Sequence, residues 1–196
     1  MFLPDVHDWP LPYADALRTR DVDSIDLVVI HCTELPDLAI AREYGERIRH
    51  PSGTGNSGHF YIDRDGRTIR FVPSERIAHH VRGYNEHSIG IELVNRGRWP
   101  DWLDSRNQAM SEAYPEEQIE SLLALLAWLR RRLPGLSRIA GHEDLDRERV
   151  PASDDPHKTV FRKLDPGPAF PWQRVVQASG LQRLKPHDSN HQTDWD

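Results

Sequence analysis

The sequence predicts an α/β fold, with a single mixed central β-sheet covered by helices. Three observations point there. Two short runs rich in β-branched residues, "IDLVVIHCT" (25–33) and "HSIGIELVN" (87–95), have the length and composition of buried strands. "HFYIDRDGRTIRFVP" (59–73) sets two extended runs on either side of Asp-Arg-Asp-Gly, which is turn chemistry and reads as a β-hairpin. "YPEEQIESLLALLAWLRRRLPG" (114–135) carries helical periodicity. Strands and helices alternating in this way bury a sheet between helical layers.

In chain order, residues 1–24 are mixed and proline-punctuated and predict an irregular arm. One domain follows over 25–176. In "LAIAREYGERIRH" (38–50), Ile40, Tyr44 and Ile48 fall on one helical stripe, and "PSGTGNSG" (51–58) is a loop. Residues 96–114 read as a loop with two exposed tryptophans, Trp99 and Trp102. In the long helix, Pro115 suits the first turn and two glutamates complement the positive end of the dipole. Ile119, Leu122, Leu123, Leu126, Leu129 and Leu133 form its apolar stripe, and three arginines followed by Pro-Gly mark its exit. "LSRIAGHED" (136–144) is a short strand running into a histidine, and residues 145–162 are charged and irregular. A last short helix runs from Trp172 to about Leu184, so 177–196 is read as helix end and polar tail.

Composition narrows the function. With 196 residues the chain has room for one full-sized core. A formal charge of −6 argues against nucleic acid and anionic membrane as partners and leaves small uncharged or amphoteric substrates open. No obligatory protein partner is indicated. The single cysteine, Cys32, excludes an internal disulfide, so stability comes from the core or a metal. The N-terminal stretch shows no signal-peptide pattern and no apolar run reaches membrane-spanning length, which predicts a cytoplasmic protein. Release without a classical signal is the alternative.

Four positions carry chemistry. Strand alternation puts Leu27, Val29 and His31 on one face and Cys32 on the other, with His31 at the strand's end. Glu92 alternates against Ile89, Ile91 and Leu93, beside Gly90, which leaves room. His142 follows a glycine, and Asp165 sits in "RKLDPGPAFPW" (162–172), where three prolines stiffen the backbone. Alone, each has an ordinary reading: a core histidine, an edge-strand acid, a surface histidine, a loop acid. Together, two imidazoles and one carboxylate suit Zn²⁺ with a fourth position for water. Glu92 then fits as general base and Lys163 as the oxyanion's positive partner. The ligands lie far apart in sequence, so no local spacing motif supports the site. Alternation also puts Lys163 and Asp165 on one side of an extended chain, with Leu164 turned away.

At this point the sequence resembles a known family, the zinc-dependent N-acetylmuramoyl-L-alanine amidases of type 2, which are AmpD-like and peptidoglycan-recognition-protein-like. "VVIHCT", "SGHFYIDRDGRTIRFVP", "HSIGIELVN", "IAGHEDLD" and "RKLDPGPAFPW" match in the family's order across residues 25–176. The resemblance implies the family's fold and one Zn²⁺ per chain, held by His31, His142 and Asp165. It implies Glu92 and Lys163 as catalytic groups. The expected reaction is cleavage of the amide between the lactyl group of N-acetylmuramic acid and the first L-alanine of peptidoglycan or muropeptides. The family's Trp-His pair after the hairpin is His79-His80 here, so His80 is expected at the substrate, as is Asn85. Residues 145–162 form an insertion, expected either as a rim over the cleft or as solvated chain. The competing functions are a non-catalytic peptidoglycan-binding module and an amidase for another N-acyl amino acid or peptide.

Overall fold

The computed structural model describes residues 5–184. The chain runs through β1 (Val6–Asp8), β2 (Leu27–Cys32), α1 (Leu38–Glu46), β3 (Phe60–Ile62), β4 (Thr68–Arg70) and β5 (Ser88–Leu93). It continues through α2 (Glu116–Arg132), β6 (Arg138–Gly141), α3 (His142–Leu145), β7 (Arg149–Pro151), β8 (Thr159–Phe161), α4 (Trp172–Ser179) and β9 (Gln182–Arg183). Seven strands form one mixed sheet in the order β1-β4-β3-β5-β2-β6-β9, as the strand–helix alternation predicts. β3, β5, β2, β6 and β9 run parallel, and β4 returns antiparallel to β3 as the expected hairpin.

The pleat sorts side chains onto two faces. Val28 and Ile30 of β2 and Ile89, Ile91 and Leu93 of β5 enter one core with Ile119, Leu122, Leu125, Leu126 and Leu129 of α2. Leu125 extends the predicted stripe, whereas Leu123 lies at its margin, only partly buried. The opposite face of the sheet is covered in part by α1 and the N-terminal segment, where Leu11, Tyr13, Leu38 and Ala41 pack with Tyr61 and Phe71.

Several expectations are corrected. The segment 1–24, read as an irregular arm, supplies an edge strand: β1 pairs with β4, and Leu11, Ala14 and Leu17 are buried. A three-residue strand containing two polar residues has no periodicity to announce it. Helix α1 buries Leu38, Ala41, Arg42 and Gly45 instead of the Ile40–Tyr44–Ile48 stripe, and Ile48 lies beyond the helix, 56% exposed. The face is set by Arg42, whose guanidinium donates to the carbonyls of Trp9 and Pro10 and lies over the Trp9 ring. A buried arginine is legible only when its acceptors are in view. The segment 145–162 is not irregular, because β7 and β8 pair into a two-stranded ribbon. The last helix stops at Gly180, whose positive φ of 63° closes it, and the chain then adds β9 to the sheet. The predicted polar tail, 185–196, lies outside the described residues.

Leu126 is fully buried between α2 and the sheet. Leu126→Ala should therefore lower unfolding stability by about 2–5 kcal/mol in a denaturant titration. A loss within error of zero would contradict this packing.

Candidate metal centre and active site

Parallel pairing brings the site together. In register, His31 of β2 lies beside Glu92 of β5, which lies beside Tyr61 of β3. Ile30 pairs with Gly141, so His142 emerges next to His31 where β6 turns into α3. All these residues stand at the carboxyl ends of the parallel strands, where open α/β sheets bind ligands. Gly141 lets the proline-rich segment approach, since a Cβ there would come within 2.9 Å of Pro166 and 3.0 Å of Trp172. Asp165 arrives from the proline-rich segment. That segment is pinned by the Glu143 amide donating to the Asp165 carbonyl (2.9 Å) and by the Tyr114 hydroxyl donating to the Pro166 carbonyl (2.7 Å).

Three donor atoms converge. His31 Nδ1 lies 2.9 Å from Asp165 Oδ2 and 3.0 Å from His142 Nδ1, and His142 Nδ1 lies 3.1 Å from the same oxygen. The residues are only 2%, 4% and 2% exposed. A tetrahedral ion with bonds of about 2.0 Å sets its ligand atoms about 3.3 Å apart, close to this triangle. Among groups of described residues that can hold a metal, this one alone brings three such atoms together. Asp165 Oδ1 is buried without a hydrogen-bond partner among the described residues, as expected of a carboxylate built for a cation. Burial pushes the His31 imidazole down to about 4, against the pull of Asp165, so the ring is neutral and its lone pair free at neutral pH. Burial opposes the charge on Asp165, but the adjacent histidines outweigh it and hold the carboxyl well below its usual range.

A hydrogen-bond chain fixes the tautomer of His31. With Nδ1 facing the cluster, the proton sits on Nε2 and donates to His80 Nδ1 at 3.0 Å. His80 Nε2 then donates to Ser88 Oγ (3.2 Å), whose hydroxyl donates to the Tyr84 carbonyl (2.7 Å). Burial keeps His80 well below its ordinary pKa and therefore neutral. Gly90 makes room for this ring, because a Cβ there would stand 2.7 Å from it. The space for Glu92 comes instead from Gly58, where a Cβ would meet the Glu92 side chain at 2.8 Å. His80, expected at the substrate, lines the cleft, and both its ring nitrogens are engaged inside the protein. Asn85, also expected there, lines the cleft, while its Oδ1 accepts from the amides of His80 and Val81 and braces the loop.

Glu92 stands on a central strand, not an edge, and is partly accessible at a cleft of about 640 Å³. Burial, and then the Asp165 charge, push its carboxyl up to about 8, with Lys163 pulling the other way. Lys163 and Asp165 both line this cleft, whereas Leu164 lines a separate pocket, so the alternation read from the sequence holds. Trp99 and Trp102 are partly buried against Tyr44, and the Trp102 indole donates to the Glu34 carbonyl. They pack under their own loop, and Trp102 also reaches the cleft wall.

A family model described as N-acetylmuramoyl-L-alanine amidase matches residues 21–168. The chain belongs to this family. It is 31% identical over 172 residues to the 1,6-anhydro-N-acetylmuramyl-L-alanine amidase AmpD of Enterobacter cloacae, covering 83% of this chain and 68% of that one. A crystal structure of a selenomethionine AmpD derivative superposes with a TM-score of 0.63 at 26% identity, over 90% of this chain and 96% of that one. The amidase AmiD from E. coli, solved with the substrate anhydro-N-acetylmuramic acid-L-Ala-D-gamma-Glu-L-Lys, superposes with a TM-score of 0.61 at 25% identity. That match covers 81% of this chain and 58% of AmiD. The mixed-sheet amidase fold and the enzyme class expected from the sequence are thereby shown for this amidase.

This hydrogen-bond chain makes a prediction for the site. His80→Ala should weaken zinc binding by roughly 10–100-fold in a calorimetric titration. Unchanged affinity would contradict the support of His31 by His80.

Proposed function

We propose that this amidase uses zinc, held by His31, His142 and Asp165, to hydrolyse the amide between the lactyl group of N-acetylmuramic acid and L-alanine in soluble muropeptides. The observation that carries the proposal is the buried triangle of two imidazole nitrogens and one carboxylate oxygen, in register with Glu92 and open to the cleft. Support for the substrate comes from the 1,6-anhydro-N-acetylmuramyl-L-alanine amidase named for AmpD and the anhydro-N-acetylmuramic acid peptide bound to AmiD. The same proposal places the reaction in the cytoplasm, on recycled wall fragments. No helix of the described residues is long and apolar enough to cross a membrane.

When bound, zinc supplies a Lewis acid that polarises the scissile carbonyl and acidifies water. The protein's own residues do the rest. Glu92 accepts a proton from the attacking water as its oxygen bonds to the carbonyl carbon, and returns that proton to the alanine nitrogen as the C–N bond breaks. A carboxyl whose affinity for protons has been raised suits both halves of this task. The Lys163 ammonium stabilises the negative charge that develops on the former carbonyl oxygen. His80 keeps His31 in the ligand tautomer, and the stiff Lys163–Pro166 segment limits reorganisation during the reaction.

Glu92→Gln should reduce stem-peptide release by roughly 10²–10⁴-fold while retaining one zinc per chain. Lys163→Ala should lower kcat by roughly 10²–10³-fold. Mass spectrometry of muropeptide digests and zinc analysis check both. An active Glu92→Gln enzyme, or a zinc-loaded wild type that leaves muropeptide intact, would contradict the proposal.

The metal-free protein carries a pH signature. Glu92, raised from 4.5 to about 8, and Glu143, raised to about 7, hold protons that the unfolded chain releases. Their stabilisation is complete below about pH 4.5 and lost as pH rises through the folded values. His31, His59 and His80 are depressed from 6.5 and act oppositely, but only below that pH. Between about pH 7 and 8, Glu92 sets the trend. The melting temperature of metal-free protein should fall across that interval, and Glu92→Gln should flatten it. A slope unaffected by the substitution would contradict the burial of Glu92.

A further inference from the structure

Arg98 lies in the loop between β5 and α2 and is 1% exposed. A guanidinium at that depth needs a partner for each donor, and this one has them. Nε donates to Glu34 Oε1 at 2.6 Å and Nη2 to Glu34 Oε2 at 2.8 Å, a two-pronged pair. Of the remaining hydrogens, Nη1 donates to the Phe161 carbonyl at 2.9 Å and to Gln108 Oε1 at 3.3 Å, and Nη2 to the Arg162 carbonyl at 3.2 Å. These are the two carbonyls immediately before Lys163.

Glu34 is equally constrained. It follows His31 by three residues, and its φ of 49° is disfavoured for a residue with a side chain. Neighbours hold it there. The Trp102 indole donates to its carbonyl, the Arg98 amide donates to Oε1, and Gly97 packs so closely that a Cβ would stand 2.7 Å from Glu34 Cγ. Arg98 therefore ties the chain leaving β2, through Glu34, to the end of β8, through the Phe161 and Arg162 carbonyls. Downstream of Lys163 the backbone has its own anchors, at the Asp165 and Pro166 carbonyls. Upstream, the neighbour is the inserted ribbon, and Arg98 holds the junction.

We propose that the Arg98–Glu34 pair is the positioning device for Lys163, fixing the root of a long flexible side chain so that its ammonium stays in the cleft near Glu92. This rests on the role of Lys163 proposed above. Arg98 is a positioning residue, since its guanidinium is spent on protein acceptors. Because Asp165 is anchored separately, the pair acts on the oxyanion's partner and spares the metal ligand.

A double-mutant cycle on the zinc-loaded full chain tests this, with Arg98→Lys, Lys163→Ala and the combination assayed on muropeptide. Lysine keeps the charge but cannot bridge a carboxylate and two carbonyls. Arg98→Lys should lower kcat about tenfold, leave KM within about twofold and zinc affinity within about threefold, and cost less than about twofold once Lys163 is already alanine. Glu34→Gln keeps the side chain's size and should show the same pattern at about threefold. It carries the same cycle if Arg98→Lys fails to fold. Losses that multiply in the double variant, or a fall in zinc affinity matching the fall in kcat, would overturn the inference. A Lys163→Ala enzyme of undiminished kcat would instead overturn the reading of Lys163.

Discussion

Two imidazoles and a carboxylate press three lone-pair-bearing atoms into a triangle with sides of 2.9–3.1 Å, away from water. Burial lowers the His31 imidazole to about 4, so at physiological pH this ring brings no charge to the carboxylate. The donor set fits a divalent cation, and Asp165 Oδ1 is buried with no hydrogen-bond partner among the described residues. The rest of the architecture keeps these groups together.

Parallel strand register is the main instrument. Setting His31 beside Glu92, and His142 one step past the last paired residue of β6, needs no loop to fold precisely, because the ladder fixes the spacing. Loops supply only Asp165 and Lys163, and there the chain substitutes proline and backbone anchors for a ladder. The glycines at 58, 90 and 141 are the complement of this economy. Each gives up a side chain so that Glu92, His80 or the Asp165 segment can approach. Glu92 and Asp165 thus face one cleft yet are tuned in opposite directions: Glu92 is raised by burial beside Asp165, and Asp165 is lowered by its histidines.

Much of this was legible in the sequence. Alternation alone placed Glu92 opposite Ile89, Ile91 and Leu93, and placed Lys163 and Asp165 on one side of Leu164, because a two-residue period leaves no other choice. Convergence of the three ligands was not legible from spacing and came from the family resemblance. What escaped reading depends on partners distant in sequence. Arg42 turns α1 through the carbonyls of Trp9 and Pro10. His80 meets His31 only once the loop is folded back by Asn85. Arg98 is a surface-type residue until Glu34 and the 161–162 carbonyls surround it. Short strands such as β1 and β9 fail for another reason: two or three residues carry no periodicity.

The most direct test is X-ray absorption at the zinc edge on the purified, zinc-loaded protein. The account predicts only nitrogen and oxygen neighbours at about 2.0–2.1 Å, with the outer-shell pattern of two imidazoles, one of which disappears in His142→Ala. A sulfur neighbour at about 2.3 Å, which would implicate Cys32, or a spectrum lacking imidazole scattering, would contradict it.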